Sequence, residues 1–209
     1  MTRIVNNCVA LVCLCLFWGQ SLRAADASHS EQIKWGNESV FNEEHNTLGL
    51  FSGVLGGQIV LAGGTSDDYS RWGRNAVCLS ENAGFALYED VLSKPLAYGA
   101  SITLSDGILC IGGRDSSQCY EDVFFVTMQQ GKLNVSEDWP PLPFPLSNAA
   151  GALLDNKVYL FGGRKSVSPS RLSDSFFVLD LSNKSRGWKE LPGYPGCVRE
   201  DAILVVQNN

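Results

Sequence analysis

Three arginines stand where a guanidinium could receive an anion. Arg114 directly follows the pair Gly112-Gly113, Arg164 directly follows Gly162-Gly163, and Arg199 closes the stretch Pro195-Gly196-Cys197-Val198-Arg199. An arginine keeps its charge at any physiological pH and presents a planar fork that matches a carboxylate, so such a set in a chain of net charge −6 suits an acidic ligand. Thr65 holds the matching place after Gly63-Gly64, and Tyr98 and Asp115 are candidate hydrogen-bonding partners for the same ligand. A plainer reading of these residues is structural. Arg114 then pairs with Asp115 and Arg164 with Asp174 to tie loops together, and Tyr98 packs at the start of a strand. Glu200 and Asp201 are adjacent carboxylates, but neighbouring residues of a strand point to opposite faces, so they are not expected to work as a dyad.

Other chemistries find little support. His29 and His45 are the two histidines of the chain and show no metal-ligand spacing. No P-loop or dinucleotide-type glycine loop appears, because the diglycines follow strands but lead into loops, and there is no Gly-x-Ser-x-Gly elbow. No metal and no cofactor is therefore expected. The formal charge of −6 becomes −8 once residues 1–25, which hold Arg3 and Arg23 and no acid, are set aside. That balance argues against nucleic acid and against anionic membrane surfaces as partners. Asn37-Glu38-Ser39, Asn134-Val135-Ser136 and Asn183-Lys184-Ser185 fit the N-glycosylation pattern.

The elements that must position the arginines form a repeat. Gln58-Ile59-Val60-Leu61-Ala62-Gly63-Gly64, Gly107-Ile108-Leu109-Cys110-Ile111-Gly112-Gly113 and Lys157-Val158-Tyr159-Leu160-Phe161-Gly162-Gly163 are each an apolar strand running into a diglycine. Gly64, Gly113 and Gly163 are 49 and 50 residues apart, a period that marks a repeat architecture. A small-residue strand precedes each copy: Leu50–Val54, Tyr98–Thr103 and Ala149–Leu154. The turns Gly56-Gly57, Ser105-Asp106-Gly107 and Asp155-Asn156 are of types that supply left-handed hairpin positions. Asp122–Val126 and Asp174–Leu179 read as third strands. The fourth strand is expected to end on Trp139 or Trp188 and the prolines that follow, with both tryptophans packed between sheets. In the first copy, residues 75–79 and 85–88 are the weaker candidates for the third and fourth strands. The expectation is an all-β protein of about three four-stranded antiparallel sheets.

The amino terminus reads as an export signal. Arg3 precedes an apolar core from Cys8 to Trp18, and Ala24, Ala25 and Ala27 supply small residues for cleavage. The expected organisation is a signal peptide over 1–25, a linker with a first outer strand over 26–47, and the repeat domain over 48–209. Among the remaining cysteines, Cys78 and Cys110 fall on strands, Cys110 as a small hydrophobe, while Cys119 and Cys197 look like loop thiols.

Four strands, a diglycine after the second and a tryptophan near the fourth, at a period near 50, resemble the kelch repeat of β-propellers. Pro95-Leu96-Ala97-Tyr98-Gly99-Ala100-Ser101 with the following strand, and Glu190–Ala202 with its Pro-Gly-x-x-Arg-x-x-Ala pattern, are similar to the cyclically permuted mutarotase family, the N-acetylneuraminate epimerase-like kelch proteins. The resemblance covers about residues 48 to 209. It implies half of a six-bladed ring, apparently truncated, in a secreted or periplasmic protein that interconverts the α and β anomers of a sugar such as N-acetylneuraminate, a sialic acid, without metal or nucleotide. The glutamate and arginine that carry catalysis in the family would lie beyond residue 209, so no catalytic residue is assigned here. Arg199, Arg114, Arg164, Tyr98 and Asp115 are the substrate-binding candidates. A non-catalytic kelch module for glycan or protein, or an inactive fragment, is the alternative. A half ring is also expected to self-associate through exposed blade faces.

Overall fold

A computed structural model describes residues 48–80, 84–193 and 195–207. The signal peptide expected over 1–25 and the linker and outer strand expected over 26–47 lie outside them. Three four-stranded antiparallel sheets follow one another along the chain. The first holds β1 (Phe51–Leu55), β2 (Gln58–Ala62), β3 (Ala76–Ser80) and β4 (Gly84–Tyr88), so the weaker strand candidates of the first repeat are strands. The second holds β5 (Ala100–Thr103), β6 (Ile108–Ile111), β7 (Val123–Gln129) and β8 (Lys132–Ser136). The third holds β9 (Ala150–Leu154), β10 (Lys157–Phe161), β13 (Phe176–Asp180) and β14 (Lys189–Leu191), with the small hairpin β11 (Arg164–Ser166) and β12 (Arg171–Leu172) beside it.

Strand alternation explains how the sheets stack. On β6 and β7, Ile108, Cys110, Phe124 and Val126 face the first sheet and join Phe51, Val60, Ala76 and Cys78 in one core. Their neighbours Leu109, Ile111, Val123 and Phe125 face the third sheet and meet Val158, Leu160, Phe177 and Leu179 in a second core. The middle sheet is thus buried on both faces, which is why β6 reads as an unbroken apolar run rather than an alternating one. On β10 only alternate residues, Val158 and Leu160, are buried.

Glycine is required where the repeat turns. All six diglycine residues have left-handed backbones, from φ 63° at Gly112 to 113° at Gly113. A Cβ at Gly63 or Gly112 would lie 2.2 Å from the carbonyl oxygen of Leu96 or Leu146, in the segment leading to the next sheet. That segment is held by the second glycine of the pair: Gly64 N donates to Leu96 O, Gly113 N to Leu146 O and Gly163 N to Arg199 O, at 2.9, 2.8 and 2.9 Å.

Two expectations need correction. The turns at Gly56-Gly57 and Asp155-Asn156 are left-handed at both central residues, but Ser105, Asp106 and Gly107 are not. The second repeat uses a longer turn, closed by Leu104 N donating to Gly107 O at 2.8 Å, which needs no left-handed residue. Gly107 is needed for packing instead, since a Cβ there would meet the Phe125 ring at 2.3 Å. The fourth strands do not end on tryptophan. Trp139 lies beyond the end of β8, and Trp188 immediately precedes β14. The tight turn Gln130-Gly131 starts β8 early in the second sheet, whereas a 3-10 helix over Leu181–Arg186 delays β14 in the third. Both tryptophans still pack against the core between the second and third sheets. Trp139 packs against Phe125 with ring centres 5.2 Å apart and planes tilted by 39°, and Trp188 donates its indole N–H to Pro140 O at 3.0 Å.

Candidate functional site

The inner strands begin at one rim, and a running backbone ladder joins them there. Tyr98 N donates to Gly49 O, Asn148 N to Tyr98 O and Asp201 N to Asn148 O, at 2.7, 2.7 and 3.0 Å. Gly49, Tyr98, Asn148 and Asp201 all have left-handed backbones, at φ 65°, 60°, 55° and 53°. They are one repeat-equivalent position, so Arg199-Glu200-Asp201 stands where Leu96-Ala97-Tyr98 stands one sheet earlier in the pattern. Beside this ladder the residues after each diglycine pair back: Thr65 with Leu48, Arg114 with Ala97 and Arg164 with Ser147. Sequence inspection missed the ladder because glycine, tyrosine, asparagine and aspartate share no side chain. The signal available was their spacing of 49, 50 and 53 residues.

Arg114 is the best-framed cation of the rim. Its guanidinium carbon lies 4.7 Å from the centre of the Tyr98 ring, 5.0 Å from Trp72 and 6.0 Å from Tyr69. Each such contact attracts the cation to the negative face of a ring. The ion pair with Asp115 does not form. Arg114 Nη1 donates only to the Asp115 main-chain oxygen, at 3.3 Å, and Nε is buried with no hydrogen-bond partner. The Asp115 carboxylate instead accepts from Ser117 N, Ser117 Oγ, Gln118 N and Tyr120 Oη, at 2.7, 2.8, 2.9 and 2.6 Å. Burial works to raise its pKa, but these donors outweigh it and hold the carboxyl down at about 2. Asp115 is therefore a cap for its own loop rather than a spare acceptor.

Arg164 is neutralised, by a partner the sequence did not suggest. Glu200, not Asp174, receives its Nε and Nη2 in a bidentate pair at 2.7 and 2.6 Å. The hydrogen bond from Arg164 is the main cause that draws the Glu200 pKa below the ordinary carboxylate value, and the charge of Arg114 adds to it. Asp201 accepts from Asn148 Nδ2 at 2.9 Å. The adjacent carboxylates thus serve different partners. Arg199 has an exposed side chain whose Nε donates to Cys197 O at 3.3 Å, while its main-chain oxygen holds Gly163.

Tyr98 and Arg114 are therefore brought together, and Tyr69 and Trp72, not anticipated from the sequence, complete the frame. Burial, then the hydrogen bond to Tyr69 Oη at 3.4 Å, pushes the Tyr98 phenol well above its usual pKa, so it remains a neutral donor and acceptor. Thr65, by contrast, is fully buried and turns its hydroxyl to Arg71 O at 2.7 Å. Cys119 is not a loop thiol open to solvent. Its bridge to Arg114 seats it inside, 3.4 Å from Ser147 Oγ, and Cys197 is the exposed cysteine among the described residues.

Comparison with known proteins agrees with this architecture. Residues 145–192 match the family described as Kelch motif. A Vibrio cholerae protein named N-acetylneuraminate epimerase is 31% identical over 90 residues, which is 43% of this chain and 22% of that protein. A Yersinia pestis protein of the same name is 32% identical over 71 residues, 34% of this chain and 16% of its own. A Vibrio cholerae protein named Kelch domain-containing protein is 33% identical over 70 residues, 34% of this chain and 18% of its own. The chain thus matches about a fifth of the length of these relatives. The solved structure of YjhT superposes with a TM-score of 0.60 at 11% identity, covering 74% of this chain and 58% of that one, which shows a shared fold. The chain is an all-β protein built from the four-stranded sheets of a β-propeller, carries a kelch motif over residues 145–192, and is similar over part of its length to proteins named N-acetylneuraminate epimerase.

Proposed function

We propose that this chain handles an acidic sugar at the rim that carries Arg114, and that it acts as a sugar mutarotase or epimerase-like protein on the anomers of a sugar such as N-acetylneuraminate. The observation that carries the reading is Arg114. Its guanidinium is fixed by three rings and belongs to none of the described ion pairs, while the nearby carboxylates Asp115 and Glu200 are engaged elsewhere. In an acidic chain, a pre-positioned cation outside the described ion pairs is suited to a ligand carboxylate. The names of the sequence relatives support the sugar.

Anomer exchange asks for two proton movements. One group removes the proton of the anomeric hydroxyl, another protonates the ring oxygen as the ring C–O bond breaks, and the open form recloses on its other face. No metal or redox partner enters that balance. The part proposed for Arg114 is to hold the carboxylate next to the reacting carbon. Tyr98, a neutral phenol beside it, would fix a sugar hydroxyl. The leader read in residues 1–25 supports an exported protein, periplasmic or secreted.

The framing rings also favour a second reading, a kelch glycan-binding module without catalysis, because aromatic faces with an adjacent cation bind sugars without any proton transfer. One experiment separates the two. Freshly dissolved α-N-acetylneuraminate is followed by proton NMR with and without the purified chain. Faster approach to anomeric equilibrium is the expected result, and an unchanged rate overturns the enzyme reading. Saturable binding with an unchanged rate selects the binding module.

A further inference from the structure

Tyr69 is held in a costly conformation in full view of solvent. Its backbone has φ 59°, a left-handed value that is a genuine outlier for a bulky residue, yet the residue is 49% exposed and buries little in return. The loop around it is braced on all sides. Asp68 accepts from Ser66 Oγ, Ser70 N and Ser70 Oγ at 2.5, 3.0 and 2.8 Å, and Trp72 Nε1 donates to Tyr69 O at 3.1 Å. Ser66 N donates to Arg71 O at 3.0 Å and closes the loop at its base. A strained residue that persists because its surroundings over-determine it, at the edge of a candidate site, is the pattern of a positioned ligand contact.

Position decides which contact. The Tyr69 ring lies 6.5 Å from Trp72 and, with Trp72 and Tyr98, flanks the Arg114 guanidinium. Among these three rings Tyr69 is the one that is substantially exposed, so a ligand whose anion meets Arg114 would have its body beside Tyr69. A pyranose ring has an apolar face of C–H groups and a polar edge of hydroxyls, which suits an aromatic face. We infer that the loop Ser66–Trp72 presents Tyr69 as a preformed platform for the apolar face of a sugar ring whose carboxylate is held by Arg114. The inference rests on the acidic-sugar reading above and adds the residue that selects for the ring.

The test uses the full chain, isothermal titration calorimetry, and two probes: N-acetylneuraminate and its carboxyl methyl ester. Tyr69→Gly keeps the left-handed backbone without strain, so its thermal unfolding midpoint is expected to stay or rise, whereas its affinity for N-acetylneuraminate falls about tenfold. Tyr69→Phe keeps the ring and is expected to bind within about twofold of the parent. Arg114→Gln is expected to lose N-acetylneuraminate, and the parent to prefer the free acid over the ester. If Tyr69→Gly binds as tightly as the parent while Arg114→Gln does not bind, the platform is overturned and the acidic-sugar reading stands. If acid and ester bind equally and both depend on Tyr69, the acidic-sugar reading fails and the platform stands. Absence of binding to either probe overturns both.

Discussion

At the scale of single residues, the rim separates charges that are spent from charges that are not. Asp115 is spent on its own loop, and the sign of its effect on stability follows. Its pKa is lowered from 3.8 to about 2, so the folded state prefers the ionised form. The contribution is fully present above pH 3.8 and is lost as pH falls toward 2. Asp115→Ala is expected to lower stability at pH 7 by about 1 kcal/mol, a charge-assisted cap weakened by solvent. In urea melts the gap between variant and parent should shrink as pH falls through that window, and a gap that is constant with pH would refute this account. The contrast with Arg114 explains what the sequence could and could not tell. The post-diglycine arginines were legible from spacing alone. Their partners were not, because Glu200 reaches Arg164 across 36 residues and the rings of Tyr69 and Trp72 reach Arg114 across more than 40. Only the folded chain creates those encounters, by laying the first sheet's loop beside Arg114 and the Arg199-Glu200 segment beside the third sheet's diglycine.

At the scale of elements, the diglycine strand carries the fold, and its two constraints can be separated. Gly112 needs both a left-handed backbone, φ 63°, and an empty Cβ site, since the Leu146 oxygen would be 2.2 Å away. Gly131, in the β7–β8 turn, needs only the former: φ is 75° and nothing lies within 4 Å of its Cβ position. Gly131→Ala is therefore expected to cost about 1 kcal/mol, the left-handed penalty alone. Gly112→Ala should cost at least ~3 kcal/mol, because backbone must also move. Comparable costs in urea denaturation would show that close approach is unimportant. The hairpins were readable in sequence because two-residue turns and apolar runs are local. β8 was not, since Lys132–Ser136 alternates between exposed and half-buried and carries few apolar residues. The tryptophans misled for a related reason: they mark the interface between sheets, while the strand beside them starts wherever the preceding turn or 3-10 helix allows.

At the scale of the whole chain, burial is unequal among the sheets. The middle sheet is covered on both faces, but the third sheet leaves Tyr159, Phe161, Phe176 and Val178 half-buried on the face turned from the second. Phe161 and Phe176 meet edge to face at 6.0 Å, and Tyr159 lies 5.9 Å from Phe176, so these rings form one aromatic cluster. Past Asp201, Ile203 and Val205 are 87% and 77% exposed, and on the first sheet Leu87 is 45% exposed. Apolar surface of this extent favours contact with more protein over contact with water. The 209-residue chain is therefore expected to self-associate, with a weight-average mass that rises with concentration in sedimentation equilibrium. Paired Ile203→Asp and Val205→Asp changes should shift the equilibrium toward the 22.7 kDa monomer. Salt identifies the force. Association through these faces should persist or strengthen as ionic strength rises, whereas association through Arg114 and the acidic surface would weaken. A single monomeric species at all concentrations would overturn the expectation, and weakening in salt would move the contact from the sheet faces to the charged rim.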